Sequence, residues 1–183
     1  MNSSADTLLK KDDSLLVVID MQEKLVPVVA DKEMIVENVI KLVRFCRIID
    51  LPVMVTEQEK LGDTLPEIRA ALVNTHPITK TAFSCFGSPA FREGIRQLRR
   101  NTLIIAGIEA HVCVAQTALQ ALPDYTVHVV SDAVSSRVAD NRKVALQRMR
   151  QCGVTITSTE MVIFELLEKA GTPLFKEALP LVK

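Results

Sequence analysis

The chain has 183 residues, the size of one ordinary domain, and its 48% hydrophobic, 24% charged and 4% aromatic content is that of a folded globule built from aliphatic side chains, not of a disordered segment. Lys+Arg and Asp+Glu number 22 each, and there is no Trp, one Tyr and six Phe, which speaks against a basic nucleic-acid surface, an anionic-membrane surface or a platform for stacking bases. No apolar run reaches the roughly 20 residues of a membrane-spanning helix, the first residues lack a secretory pattern, and four cysteines without a Cys-x-x-Cys pair form neither a disulfide framework nor a zinc knuckle. The expectation is a cytoplasmic protein with free thiols and with neither a nucleic-acid nor a membrane partner.

One domain over 1–183 is expected, with an N-terminal arm of about 12 residues and a C-terminal helical tail over about 172–183. The first strand is Leu15 to Ile19, running into Asp20. From Asp31 to Asp50 the apolar residues Ile35, Val39, Leu42, Val43, Cys46 and Ile49 fall three or four apart and predict a helix. A strand at Val53 to Val55 precedes Glu57, a helix follows at Leu65 to Leu72, and a strand at Pro77 to Thr79 precedes Lys80. Next come a helix at Pro89 to Leu98, a strand at Leu103 to Ala106, the connection Gly107 to Cys113 and a helix at His111 to Leu122. A strand at Val127 to Val130 leads into Ser131 and Asp132, followed by a helix at Asp140 to Cys152, a strand at Val154 to Ile156 and a helix at Glu160 to Lys169. Pro66 and Pro89 suit first turns, and Gly153 suits a helix end. Continuous apolar strands alternating with amphipathic helices specify an α/β sandwich around a parallel sheet. Ligands of such sheets bind beyond the carboxyl ends of the strands, where Asp20, Glu57, Lys80 and Gly107 to Cys113 gather.

Only six glycines occur, none of them one residue apart, and none follows the first strand, so a dinucleotide fingerprint and a Walker loop are both absent. Asp20, ending an apolar strand, is either a helix N-cap or a functional carboxylate. Lys80 is either an ordinary surface lysine or its charge partner. Cys113 falls in the opening turn of a helix, where the helix dipole and free N–H groups stabilise a thiolate, and a nearby acid and lysine would complete an activated nucleophile. Cys46 and Cys152 read as core. Cys85, in the loop FSCFGSP, reads as packing or pocket wall. His76 and His128 have no metal-ligand neighbours at suitable spacing, and the side chain of His111 leaves its turn in a different direction from Cys113.

LLVVIDMQ with Asp20, ITKTAFS with Lys80 and LIIAGIEAHVCVAQTA with Cys113 resemble the three signature blocks of the isochorismatase-like cysteine hydrolase superfamily, in order and with separations of 60 and 33 residues. VVSDAVSSR and TEMVIFELL extend the resemblance over nearly the whole chain, closest to the isochorismatase-domain-containing group. The resemblance implies a three-layer α/β/α sandwich with a six-stranded parallel sheet of Rossmann-like order 3-2-1-4-5-6. It implies Asp20 as general base and acid, Lys80 as the charge that orients and stabilises, and Cys113 as nucleophile. It also implies a cis Ile108–Glu109 peptide, an oxyanion hole made by the backbone N–H groups of Glu109 and Cys113, and assembly as a homo-oligomer. Gln22, Glu57, Phe83, Cys85 and Phe86 fall near the substrate pocket by the same resemblance. Nicotinamidases of the superfamily hold a metal through Asp and His after the second strand, whereas VTEQEKLGDTLPEI has no histidine. Neither a metal nor another cofactor is expected. True isochorismatases cleave a vinyl ether without a cysteine nucleophile, so Cys113 favours hydrolysis of a small amide or ureido C–N bond. The alternatives are vinyl-ether hydrolysis by Asp20 and Lys80, and a catalytically idle binding protein on the same fold.

Overall fold

The structure, a computed structural model, describes residues 8–72 and 75–183. Six strands, β1 (Ser14–Ile19), β2 (Val53–Gln58), β3 (Ile78–Lys80), β4 (Thr102–Ile108), β5 (Thr126–Ser135) and β6 (Thr155–Thr157), form one sheet in the order β3-β2-β1-β4-β5-β6. Every pairing is parallel. The connections carry helices α1 (Lys32–Ile48), α2 (Pro66–Ala71), α3 (Pro89–Leu98), α4 (Ala115–Ala121), α5 (Ala139–Gln151) and α6 (Thr159–Leu167), and α7 (Pro173–Ala178) closes the chain.

The central strand shows why the sandwich has three layers. All six residues of β1 are buried. Leu16 and Val18 face the core shared with α1, α6 and α7, while Leu15, Val17 and Ile19 face the core shared with α3, α4 and α5, as the two-residue period of a strand requires. Serine and threonine caps start the flanking helices: the side chains of Ser88, Ser158 and Thr172 accept from the N–H groups of Phe91, Met161 and Phe175. Pro66, Pro89 and Pro173 occupy first turns.

Four local expectations shift. The strand expected at Val127 to Val130 continues to Ser135, because Ser131 Oγ donates to the Thr157 carbonyl (2.8 Å) and Asp132 Oδ1 accepts from Thr159 N (2.8 Å) and Oγ1 (3.0 Å); paired polar groups are tolerated inside a sheet. β2 likewise runs on to Gln58. The helix expected from His111 opens as a π-helical turn, Ala110–Val114, before α4 begins. Cys152 is exposed, which corrects its assignment to the core: it caps α5, whose buried face ends at Met149. Residues 1–7 of the expected N-terminal arm lie outside the described residues. Its end is anchored by Leu9, which is buried and donates its N–H to Glu165 Oε2 at 3.0 Å.

Gly107 governs how closely β4 approaches β1. It pairs with Ile19 at a φ of +115°, and a Cβ there would overlap the Ile19 carbonyl oxygen. Ile19 precedes Asp20, and Gly107 leads into the turn that carries Cys113, so this contact sets the spacing between the two ends. Gly107→Ala is expected to cost at least about 3 kcal/mol of stability through backbone strain and strand separation. Urea unfolding measures it, and a midpoint equal to the parent protein's would contradict this role.

Candidate active site

Asp20 leaves β1 in the left-handed region, at a φ of +52°. Its N–H donates to the Thr56 carbonyl at 3.1 Å, and its own carbonyl accepts from Gln22 N at 2.8 Å. This turn points the carboxylate across the end of the sheet. Lys80 ends β3, and because β2 lies between β1 and β3 the two side chains meet over its carboxyl end. Lys80 Nζ stands 2.7 Å from Asp20 Oδ2, and both side chains are 0% exposed. Residues two apart on a strand share a face, and Thr56 and Gln58 of β2 each serve one half of the pair. Thr56 Oγ1 donates to Asp20 Oδ1 at 2.8 Å, and Gln58 Oε1 accepts from Lys80 Nζ at 2.8 Å. The carbonyls of Phe83 (3.2 Å) and Ala82 (3.3 Å) complete the lysine's acceptors. A buried ion pair of this kind holds together only because its remaining donors and acceptors are also satisfied.

Cys113 comes to the same carboxylate from β4 through the π-helical turn and is 5% exposed. Its thiol pKa is pushed up to about 12, first by burial and then by the negative charge of Asp20, with Lys80 pulling the other way. Burial and the facing carboxylate therefore outweigh the helix-terminus stabilisation expected from the sequence, and the resting group is a thiol. The Ile108–Glu109 peptide ahead of this turn is cis. The Glu109 carboxylate turns away to Arg137, accepting from its backbone N–H (2.8 Å) and from Nε (3.1 and 3.2 Å), which fastens the segment after β5 to the Cys113 turn.

The other residues expected near the pocket separate. Gln22 is fully buried and spent on the backbone: its amide donates to the carbonyls of Gln58 (3.0 Å) and Gly62 (2.6 Å) and accepts from Gln58 N (2.7 Å). Glu57 lies on the opposite face of β2 from Thr56 and Gln58, where Oε1 accepts from Thr64 N and Oγ1, both at 2.7 Å. Phe86 packs edge-on against Phe91 (5.3 Å between centroids), in the core cluster that also holds Cys85 and Cys113. Phe83 meets Lys80 through its carbonyl, and the residue is 55% exposed. Cys85 is buried, with Sγ 3.8 Å from Thr56 Oγ1 and its thiol pKa pushed up to about 11, mainly by burial. Cys46 lies in the core.

Sequence reasoning missed Thr56, Gln58 and Arg137. The strand alternation through VTEQ holds the signal for the first two, since Glu57 and its two neighbours must face opposite ways. His111 Nδ1 lies 2.9 Å from Ser136 Oγ, which occupies that ring nitrogen away from the thiol. His128 is 3% exposed in β5, with its pKa lowered chiefly by burial. Among the described residues no group of three or more His, Cys, Asp or Glu side chains is placed to hold a metal ion, and no helix is long and apolar enough to cross a membrane.

Comparison with known proteins agrees with this architecture. The chain is 39% identical over 168 residues to isochorismatase domain-containing protein 2 of Danio rerio, covering 90% of this chain and 84% of the relative. It is 38% identical over 177 residues to the secreted isochorismatase effector Isc1 of Phytophthora sojae, covering 93% and 84%. Among solved structures it superposes on the MAR1 ribonuclease of Caenorhabditis elegans with a TM-score of 0.90, 36% identity and coverage of 96% and 92%. It superposes equally, at 0.90, on YcaC of Pseudomonas aeruginosa solved with hexane-2,5-diol and covalent acrylamide, with 26% identity and coverage of 98% and 93%. With the isochorismatase domain model matching residues 14–161, the chain belongs to the isochorismatase family and is a hydrolase of that family.

Proposed function

We propose that this chain is a metal-independent cysteine hydrolase that cleaves a small amide or ureido C–N bond through a Cys113 thioester. The observation that carries the proposal is a fully buried Asp20–Lys80 pair with the Cys113 thiol facing its carboxylate. Burial and the facing carboxylate push the thiol pKa well up, so the resting nucleophile at neutral pH is the thiol. Attack is therefore coupled to proton transfer. Asp20 takes the S–H proton as the sulfur bonds to the substrate carbonyl carbon, and Lys80 holds the pair's charge in place. The backbone N–H groups of Glu109 and Cys113 receive the oxyanion, each worth about 3–4 kcal/mol in the transition state. As the C–N bond breaks, Asp20 passes the proton to the leaving nitrogen. Asp20 next takes a proton from water, whose oxygen attacks the thioester, and the released sulfur is reprotonated. The covalent acrylamide carried by the YcaC relative supports a nucleophile in this fold that accepts a small electrophile.

A panel of small amides and ureides tests the reaction class, with RNA as a control because the nematode relative bears the name ribonuclease. Release of ammonia or amine from a panel member supports the proposal, whereas RNA cleavage with every amide and ureide inert refutes it. Cys85→Ala is expected to keep at least about half of the turnover: its S···O contact at 3.8 Å is long and weak. Loss of most of the rate in that variant would give Cys85 a part in the chemistry.

A further inference from the structure

We propose that Thr56 is a positioning residue that clamps Asp20 at both ends and fixes the direction in which its carboxylate faces Cys113. The inference rests on the Asp20–Cys113 chemistry above. One residue grips both the main chain and the side chain of Asp20: the Thr56 carbonyl accepts the Asp20 N–H at 3.1 Å, and the Thr56 hydroxyl donates to Oδ1 at 2.8 Å. The first bond holds a backbone turn that lies at a positive φ. The second, opposite the 2.7 Å contact of Lys80 with Oδ2, ties down both carboxylate oxygens and removes rotation of the group. Thr56 is itself fully buried on a central part of the sheet and β-branched, so its rotamer is restricted.

The direction of the hydroxyl proton follows from the carboxylate it faces. A hydroxyl has a single proton, and Cys85 Sγ stands 3.8 Å away on the acceptor side. That proton goes to Asp20 Oδ1 at 2.8 Å, and the Cys85 thiol, which burial keeps as S–H and which also has Thr117 as a neighbour, adds only the long contact. The Thr56 hydroxyl thereby ends at the oxygen pair that must accept the Cys113 proton. Valine would fill the same volume at this strand position without supplying the donor.

The test uses 4-nitrophenyl acetate. Cys113 sulfur bonds to the acetyl carbon, the C–O bond breaks to release nitrophenolate, and the thiol proton passes to Asp20. Nitrophenolate release gives the acylation rate, and intact-protein mass spectrometry locates the acetyl group. Thr56→Val is expected to acylate Cys113 about 10- to 100-fold more slowly, as for a misaligned catalytic group, with KM nearly unchanged. Thr56→Ser, which keeps the hydroxyl, should recover most of the rate. Where the valine variant does not fold, the same contrast is read between Thr56→Ser and Thr56→Ala. Equal rates in hydroxyl-bearing and hydroxyl-free variants, with Asp20→Asn inactive, would overturn the role of Thr56 and leave the Asp20 chemistry standing. Parent-like acylation in Asp20→Asn would overturn both.

Discussion

Cys113→Ala should abolish turnover, with kcat/KM on the best amide or ureide substrate falling by at least about 10⁴-fold, the scale seen when a nucleophile is removed. The loss should be chemical and not structural. The side chain is small and ends a core otherwise held by Val114, Ala118 and Ile105, so deleting one sulfur costs roughly 1 kcal/mol. Cys113→Ser keeps the shape and supplies a hydroxyl that ionises less readily than a thiol, and it should be nearly as inactive. Parallel melting curves for the three proteins provide the control. A Cys113→Ala enzyme with full activity would transfer the chemistry to Asp20 and Lys80 alone, which is the vinyl-ether reading.

Lys80→Met should produce the second large effect, on stability as well as on rate. Asp20 then keeps the Thr56 hydroxyl but faces no cation, in a site where its side chain is 0% exposed. Breaking a buried pair from one side costs about 3–5 kcal/mol. Asp20→Asn should cost less, because Lys80 Nζ retains Gln58 Oε1 and the carbonyls of Ala82 and Phe83. It should still abolish turnover if Asp20 is, as proposed, the proton acceptor. The double variant Asp20→Asn/Lys80→Met should be more stable than the sum of the two single losses predicts, a coupling that urea unfolding of all four proteins reads as a double-mutant cycle. Additive losses would mean that the pair is not coupled in solution.

The architecture was legible because the strands are buried on both faces. Runs such as LLVVI and LIIA carry their own assignment, and helical spacing over Ile35 to Ile49 locates α1. Strand ends were harder to read. β2 and β5 extend through polar residues whose partners, Thr157 and Thr159 for β5 and Lys80 for Gln58, lie far away in the chain. The error at β2 had a consequence at the site. Ending the strand at Val55 hid the alternation that sends Thr56 and Gln58 to the ion pair and Glu57 to Thr64 on the other side. The place of Cys113 in a turn that leads into a helix was legible, but its electrostatic state was not. A helix-opening position favours thiolate, and only the three-dimensional burial beside Asp20 reveals that the opposite influence prevails. Cys152 illustrates the limit of periodicity at a helix end, where the helical phase no longer applies.

The central claim is a covalent bond at one sulfur among four. The protein is mixed with a turned-over amide or ureide, quenched in acid within the first turnovers, and analysed by intact-protein and peptide mass spectrometry. The account predicts an added acyl mass on the peptide containing Cys113, absent from Cys113→Ala and Cys113→Ser, while Cys46, Cys85 and Cys152 stay unmodified. Turnover with no acyl mass on Cys113 at any quench time, in a protein that also retains its rate as Cys113→Ala, would contradict it.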